Sequence, residues 1–361
     1  MSKRLIVHIG RSKTGTTSFQ QTLRANRDLL AVNGVQIPPF FNSENHGALA
    51  LAFSAQPGRI GRGYAVENEK DRFNLQQELG RSLSNSVDDG NWVMTSEHIG
   101  SKLRSENEIQ KFLTFLANHF DEVHILAVVR RPDDLAASAY AESIKSGRTW
   151  DFDAEYARKA RRFFDHYAFA NLWKSQLLPQ MSFKLIPFQK GESVTRLFNV
   201  IFKTLNMSID FTRNLEMKKD SNIAMSREAI QFLRLINPMF PPGVITNRMR
   251  RQLISTLTTF QGSPLTLTTS VYQFFLDKNL LTGGLEQSDL PPSAEWSEWF
   301  SAPKVKVSDW NELDAEHIEE LHTWCENNGI PTRRITPAKV PGPLENLGRK
   351  LRKVAIRWRG R

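Results

Sequence analysis

The stretch LIVHIGRSKTGTTS, residues 5–18, decides the fold of this chain. Residues 5–9 form a short apolar run that ends at Gly10, a pattern typical of a buried strand. Residues 16–32 carry apolar side chains at helical spacing and stop before Gly34, which favours a helix. The sequence therefore begins with a strand, a glycine-containing loop and a helix.

The alternation of strand and helix continues over the first 210 residues. Further strands are predicted at residues 92–95, 123–129 and 183–186. Further helices are predicted at residues 44–54, 68–86, 106–119 and 193–206, and Pro132 opens another. Strand then helix, repeated, predicts an α/β fold in which a parallel sheet carries helices on its faces.

After residue 210 the pattern changes. Helices are predicted at residues 227–236 and 315–327, but proline pairs at 241 and 291 interrupt the segment between them. We expect a core over residues 1–210, a less regular α-rich region over residues 211–338 that caps the sheet within the same domain, and a basic tail over residues 339–361.

Composition excludes several classes of protein. Of the 361 residues 40% are hydrophobic, which excludes wholesale disorder. The longest apolar run, residues 48–53, is far shorter than the roughly 20 residues that span a bilayer. The basic start of the chain is followed by too short an apolar stretch for a signal peptide. The single cysteine, Cys325, forbids an internal disulfide, and we expect a cytoplasmic protein.

The formal net charge of +10 is concentrated in the tail. Residues 341–361 contain seven basic side chains and one acid, with apolar residues between them at spacings of three and four. Such a segment is typical of a helix on an anionic membrane surface, so we expect peripheral contact with the inner membrane face. The mildly basic remainder suits an anionic ligand, and without a recognition module no nucleic-acid partner is expected.

The loop between the first strand and helix has the composition of an anion site. Glycines allow backbone amides to converge on one point, and the following helix N-terminus adds positive potential. Lys13 contributes a full charge and the run Thr16-Thr17-Ser18 contributes hydroxyls. The loop is not a Walker A motif, because its lysine precedes the second glycine. The alternative is a strand–helix turn with capping threonines.

A second anion-binding feature follows the strand at residues 123–129. Arg130 stands at the carboxyl end of that strand, where ligands bind in open α/β sheets. Arginine binds phosphate in a bidentate manner, and Ser138 in the next helix adds a hydroxyl. The alternative is a surface arginine paired with Asp133 or Asp134.

Together the two motifs resemble the PAPS-dependent sulfotransferases, most of all their bacterial carbohydrate-type members, over about the first 210 residues. The resemblance implies a three-layer, P-loop-like sheet that binds PAPS, 3′-phosphoadenosine 5′-phosphosulfate, with no metal. Arg130 and Ser138 would hold the 3′-phosphate, and Lys13 would stabilise the leaving group. The residues that would hold the 5′-phosphosulfate are Arg11, Ser12, Lys13, Thr14, Gly15, Thr16, Thr17 and Ser18.

Transfer to a hydroxyl or amine also needs a general base. Glu97 and His98 follow the strand at residues 92–95, and an extended strand would point them in opposite directions. His46 is a further candidate, and we rank Glu97 first, His46 second and His98 third. The expected acceptor is a carbohydrate or glycolipid, and the alternative function is a nucleotide or small-molecule kinase, which would require Mg²⁺.

Overall fold

A computed structural model describes most of the chain. The described residues are 2–11, 14–38, 46–60, 64–86, 88–189, 193–218, 224–238, 247–287, 296, 299, 307–308, 310 and 312–330. Ser12 and Lys13 lie outside this set; they belong to residues 10–15, which we call the anion-binding loop after its predicted role. The basic tail also lies outside this set. The predictions made for these segments stay predictions.

A five-stranded parallel sheet forms the centre of the fold, with the strand order β2-β5-β1-β6-β7. Its strands are β1 (Lys3–His8), β2 (Val35–Gln36), β5 (Gly90–Thr95), β6 (Glu122–Val129) and β7 (Met181–Pro187). Between β2 and β5 the chain also forms a small antiparallel hairpin of β3 (Gly58–Ile60) and β4 (Tyr64–Val66). The predicted α/β class with a parallel sheet is therefore confirmed.

The helices occupy most of the connections between strands. In the first half of the chain they are α1 (Thr16–Ala25), α2 (Arg27–Val32), α3 (Gly47–Phe53), α4 (Glu69–Ser86), α5 (Glu97–Lys102), α6 (Glu106–Ala117) and α7 (Pro132–Lys145). They continue with α8 (Ala154–Phe164), α9 (His166–Lys174), α10 (Ser193–Thr204), α11 (Arg227–Ile236), α12 (Asn247–Thr258), α13 (Thr269–Asp277) and α14 (Ala315–Asn327). None of the described helices is long and apolar enough to cross a membrane.

The helix predicted over residues 16–32 is broken at Asn26, so that α1 and α2 are separate. The side-chain amide of Asn26 donates to the Thr22 carbonyl at 2.8 Å, and its side-chain oxygen accepts from the Glu216 N–H at 2.8 Å. Asn26 thereby ties the end of α1 to a distant segment and turns the chain. The pattern of apolar residues contains no sign of this contact.

Side chains of the central strand alternate between two buried clusters. Leu5 and Val7 pack in one cluster with the α6 residue Phe112, whereas Ile6 packs in the other with the α1 residue Phe19. Because both faces of the sheet are covered by helices, the predicted three-layer arrangement is confirmed.

The chain divides into two compact units. The first comprises Met1–Ala136, Ala157–Asn222 and Gln273–Lys304 and contains the sheet. The second comprises Ala137–Tyr156, Ile223–Tyr272 and Val305–Arg361. The domain boundaries expected from the sequence stay a prediction.

The second unit has an aromatic core of its own. Tyr140 stacks on Phe152 with ring centroids 4.5 Å apart, and Trp310 packs edge-on against Tyr140. The Tyr140 hydroxyl donates to the Trp150 carbonyl at 2.9 Å, and burial raises the pKa of this phenol. Tyr140 is therefore a core residue of this unit.

Helix α5 lies against the backbone that follows β1, and this approach requires a glycine. A Cβ atom on Gly100 would stand 2.4 Å from the Ile9 carbonyl oxygen and 3.1 Å from the Gly10 carbonyl oxygen. Only a residue without a side chain allows the helix to come this close to the start of the loop. Gly100 thus sets the distance between α5 and the anion-binding loop.

We expect Gly100→Ala to lower the free energy of unfolding by about 1–3 kcal/mol, the usual effect of overpacking, because backbone must move to admit the methyl group. The matched control is Gly80→Ala in α4, where the nearest atom to the new Cβ would be 3.7 Å away. Urea unfolding should show the control unchanged or stabilised by up to about 1 kcal/mol. Equal changes in the free energy of unfolding for the two substitutions would contradict the close approach of α5 to the backbone after β1.

Candidate functional site

The loops that carry the sequence motifs meet at one edge of the sheet. In the parallel register His8 of β1 pairs with Thr95 of β5 and with Leu126 of β6. The carboxyl ends of these three strands therefore lie side by side. The residues that follow them begin the anion-binding loop, α5 and the Arg130 segment, in that order along the chain. This edge is where ligands bind in open α/β sheets.

The described part of the anion-binding loop is tightly folded. Gly15 has φ 74°, in the left-handed region, and begins α1 without a side-chain cap. The buried Thr14 hydroxyl donates to the Arg11 carbonyl at 2.6 Å and lies 3.4 Å from the Thr16 hydroxyl. Thr17 is exposed and Ser18 is buried. Within the described part of the loop, no side chain caps α1, and the first amides of a helix are the groups that an anion site would use.

His8 lies directly beneath this loop and was not predicted as a site residue. Its Nδ1 is 2.9 Å from the Thr95 hydroxyl, and its ring packs edge-on against Phe19. A Cβ atom on Gly10 would be 2.9 Å from the His8 ring, so the loop backbone rests on the imidazole. Burial lowers the pKa of His8 to about 3, so the ring is neutral at physiological pH. No motif in the sequence distinguishes this histidine from other strand residues.

Glu97 and His98 occupy the first turn of α5. The expectation that they point in opposite directions assumed an extended strand, but β5 ends at Thr95 and Ser96 caps the helix by accepting from the His98 N–H at 3.2 Å. The Glu97 carboxylate accepts from the buried Gln20 side chain of α1 at 2.8 Å. His98 Nε2 lies 3.8 Å from the other carboxylate oxygen. The carboxylate is therefore held beside α1, the helix that follows the anion-binding loop.

His46 is buried between α3 and the end of β5. Its Nδ1 accepts from the Thr95 N–H at 3.1 Å, and its Nε2 lies 3.4 Å from the Pro38 carbonyl. Burial lowers the pKa of His46, while the backbone contacts oppose this shift. Both ring nitrogens face backbone groups, so this histidine joins Pro38 and the start of α3 to the end of β5.

The two arginines after β6, Arg130 and Arg131, contact different groups. Arg131 forms a two-point ion pair with Asp133, at 3.2 and 3.3 Å, and donates to the Trp299 carbonyl at 2.8 Å. The half-buried Arg130 lies with its guanidinium carbon 5.2 Å from the centre of the Phe188 ring. The neighbouring Asp133 therefore pairs with Arg131. Ser138 is half-buried within α7.

His166, at the start of α9, connects the loop after β1 with the segment after β6. Its Nε2 donates to the Arg130 carbonyl at 2.7 Å, and its Nδ1 accepts from Arg11 Nη1 at 3.2 Å. Burial, with a smaller contribution from Arg11, lowers the pKa of His166 to about 3. The neutral ring thus donates on one side and accepts on the other. The sequence offers no signal for this residue, because its two partners lie far away along the chain.

The Arg11 side chain lies against α8 and α9. Its second guanidinium nitrogen, Nη2, donates to the Arg162 carbonyl, and its guanidinium carbon stands 4.5 Å from the centre of the Phe169 ring. Only 6% of Arg11 is exposed. Its assignment to the 5′-phosphosulfate stays a prediction, since the described contacts hold this side chain against the two helices.

Comparison with known proteins found no matching family model and no matching curated protein. Two solved structures resemble the fold loosely. A sulfotransferase from Alicyclobacillus acidocaldarius is 19% identical, with a TM-score of 0.36, and the match covers 61% of this chain and 87% of that one. The sulfotransferase domain from the curacin biosynthetic pathway is 12% identical, with a TM-score of 0.33, over 82% and 95% of the two chains.

The neutral state of His166 predicts a pH dependence of stability. Because its pKa is about 3 in the folded chain and 6.5 is its ordinary value, unfolding takes up a proton between these pH values. The stability that depends on the neutral ring is complete above pH 6.5 and is lost as the pH falls towards 3. One such group contributes a slope of about 1.4 kcal/mol per pH unit.

His166→Gln tests this directly, because glutamine is polar and does not titrate. The free energy of unfolding, measured with urea from pH 7 to pH 4, should fall less steeply with acid in the variant than in the natural chain. At pH 7 the variant should be less stable by about 1–3 kcal/mol, because the buried partners of the ring lose their geometry. Parallel pH profiles would contradict a neutral, buried His166.

Proposed function

We propose that this protein is a PAPS-dependent sulfotransferase. The observation that carries the proposal is the placement of two predicted phosphate-binding features on neighbouring strands of one sheet edge. The glycine loop follows β1 and Arg130 follows β6, and these strands are paired directly. A donor that carries phosphate groups on both the 3′ and the 5′ position of its ribose suits two such features. The resemblance of the loop and of Arg130 to sulfotransferase motifs supplies the identity of the donor.

The described loop residues fit the 5′ end of the donor. Gly15 supplies no side-chain cap to α1, so the start of this helix would offer its backbone amides, and the buried Thr14 and Thr16 have their hydroxyls 3.4 Å apart. Bound PAPS would supply the sulfuryl group at this point. Lys13 would neutralise charge on the leaving phosphate, a role that lysine fills without a metal. Arg130, with Ser138, would hold the 3′-phosphate through charged hydrogen bonds.

Glu97 is our choice for the general base. Gln20 orients its carboxylate beside α1, and about a quarter of the side chain, 27%, is exposed and open to an acceptor hydroxyl. His46 is less suited, because its ring nitrogens face backbone groups and only 3% of the residue is exposed. His98 stays an alternative through its position beside the Glu97 carboxylate.

The same proposal includes three points that rest on the sequence. The acceptor is a carbohydrate or glycolipid, the protein is cytoplasmic, and residues 341–361 contact a membrane. The reaction is tested by incubating the protein with sulfur-labelled PAPS and a panel of glycan and glycolipid acceptors in the presence of EDTA. Transfer without divalent metal supports a sulfotransferase. Transfer from labelled ATP that requires Mg²⁺ would favour the kinase instead.

We expect Lys13→Ala to lower turnover about 10²- to 10³-fold, as the loss of a group that stabilises transition-state charge does. Binding of 3′-phosphoadenosine 5′-phosphate should weaken much less. The control is Lys111→Ala, an exposed lysine on α6. Steady-state assays give the turnover number, and calorimetry gives the dissociation constant of 3′-phosphoadenosine 5′-phosphate. Turnover of Lys13→Ala within tenfold of the control would exclude the role.

For Glu97→Gln we expect turnover to fall about 10²- to 10⁴-fold, the range for a lost general base. The amide oxygen can still accept from Gln20, so donor binding should stay near normal. The control is Glu78→Gln on the exposed face of α4. If His46→Gln abolishes turnover in a folded protein while Glu97→Gln retains most of it, the base is His46.

A further inference from the structure

A basic pocket lies in the first unit between α5, α8 and α9. Its volume is about 450 Å³, within the roughly 300–1,000 Å³ that small-molecule sites occupy. Six basic side chains and one acid line it: Arg11, Arg104, Arg158, Lys159, Arg161, Arg162 and Asp165. Gly100 and Ser101 of α5 form part of the wall, one turn beyond Glu97. The pocket therefore adjoins the helix that carries the proposed base.

The positive charges come from three separate segments of the chain. Arg11 belongs to the loop after β1, Arg104 follows α5, and the remaining four lie on α8. A basic run on a single helix is usually a solvated face. Here three segments that are distant in sequence bring cations to one concave surface. Burial and the proximity of Arg162 lower the pKa of Arg104, although Glu108 opposes this effect.

Arg11 carries its charge into the buried wall of this pocket. Its described hydrogen bonds go to a neutral imidazole, His166, and to the Arg162 carbonyl. Burial lowers the pKa of Arg11 to about 10, with Asp165 opposing and Arg162 adding to the shift. Asp165 also forms a 4.0 Å ion pair with Arg161 and caps α9 by accepting from the Ala168 N–H. One carboxylate thus faces several guanidinium groups, and positive charge dominates.

Apolar groups complete the lining. Leu103, Phe163, Phe169 and Leu172 contribute to the walls, and the Arg162 guanidinium carbon lies 5.6 Å from the Phe163 ring centre. A cavity with apolar walls and several guanidinium groups suits a small anionic molecule whose ring has an apolar C–H face. An extended nucleic acid would instead need a long groove. A saccharide with carboxylate or sulfate groups has the required chemistry and also presents hydroxyls.

We propose that this pocket binds the acceptor through a negatively charged group, and that the acceptor is an acidic saccharide. The identification with the acceptor rests on the proposed function, whereas the preference for anionic saccharides rests on the pocket alone. Arg104 and Arg162 would pair with the anionic group, and Phe163 would contact the ring. The proposal narrows the carbohydrate class to acidic members.

The test compares trigalacturonate with its fully methyl-esterified form, which has the same rings without the charges. Calorimetry at fixed, low ionic strength gives both affinities in the natural chain. We expect the acid to bind at least about tenfold more tightly than the ester, as charged hydrogen bonds imply. The double variant Arg104→Gln/Arg162→Gln should lose this preference. The matched control, Arg81→Gln/Arg213→Gln, alters two exposed arginines elsewhere in the first unit and should keep it.

A second pair of probes, N-acetylglucosamine 6-sulfate and N-acetylglucosamine, shows whether sulfate serves as well as carboxylate. Equal affinity for the acidic and neutral forms in both pairs would overturn the proposal, and so would a preference that survives in the double variant. Tighter binding of oligothymidylate that the double variant abolishes would also overturn it, in favour of nucleic acid. Binding of 3′-phosphoadenosine 5′-phosphate is measured separately. If 3′-phosphoadenosine 5′-phosphate does not bind, only the proposed function is refuted. A preference for the acidic saccharides would then still establish the pocket as an anion site.

Discussion

The parallel pairing of β1 with both β5 and β6 is the constraint on which the rest of the structure depends. Because β1 lies at the centre of the sheet, its carboxyl end has a neighbour on each side. The anion-binding loop, the first turn of α5 and Arg130 therefore come to one edge, although together they span more than a hundred residues of sequence. Parallel strands need helical crossovers, and these crossovers supply the layers on both faces.

Three buried histidines stabilise this edge. His8 supports the loop, His46 joins the start of α3 to β5, and His166 joins Arg11 to the Arg130 backbone. Burial lowers the pKa of each one. A neutral imidazole can donate at one nitrogen and accept at the other, so it can link two polar groups without adding charge. The three histidines therefore add no positive charge beside the loop at neutral pH.

Much of the fold could be predicted because apolar patterns report burial. The strands of the sheet after β2 were found to within a few residues, as was α11. Helices α8 and α9 were not predicted, and four of the eleven residues of α8 are arginine or lysine. The break at Asn26 was missed because it depends on a contact with Glu216. Local patterns carry no information about such distant partners.

The candidate site was likewise predictable only where local sequence patterns carry the information. The position of the loop and of Arg130 at the carboxyl ends of strands could be predicted from the sequence, and their role in binding phosphate stays a prediction. No motif pointed to Gln20, because its contact with Glu97 spans 77 residues of sequence. The Glu97–His98 pair was expected on an extended strand, but Ser96 offers a helix cap and the chain turns at once. A capping serine before an acidic residue is a visible signal for that turn.

Arg11 brings the two halves of the proposed function together. Its backbone begins the loop that would hold the donor, and its carbonyl accepts from Thr14 within that loop. Its side chain lies in the buried wall of the basic pocket, where its guanidinium donates to His166. One residue therefore links the geometry of the donor loop to the charge of the proposed acceptor pocket.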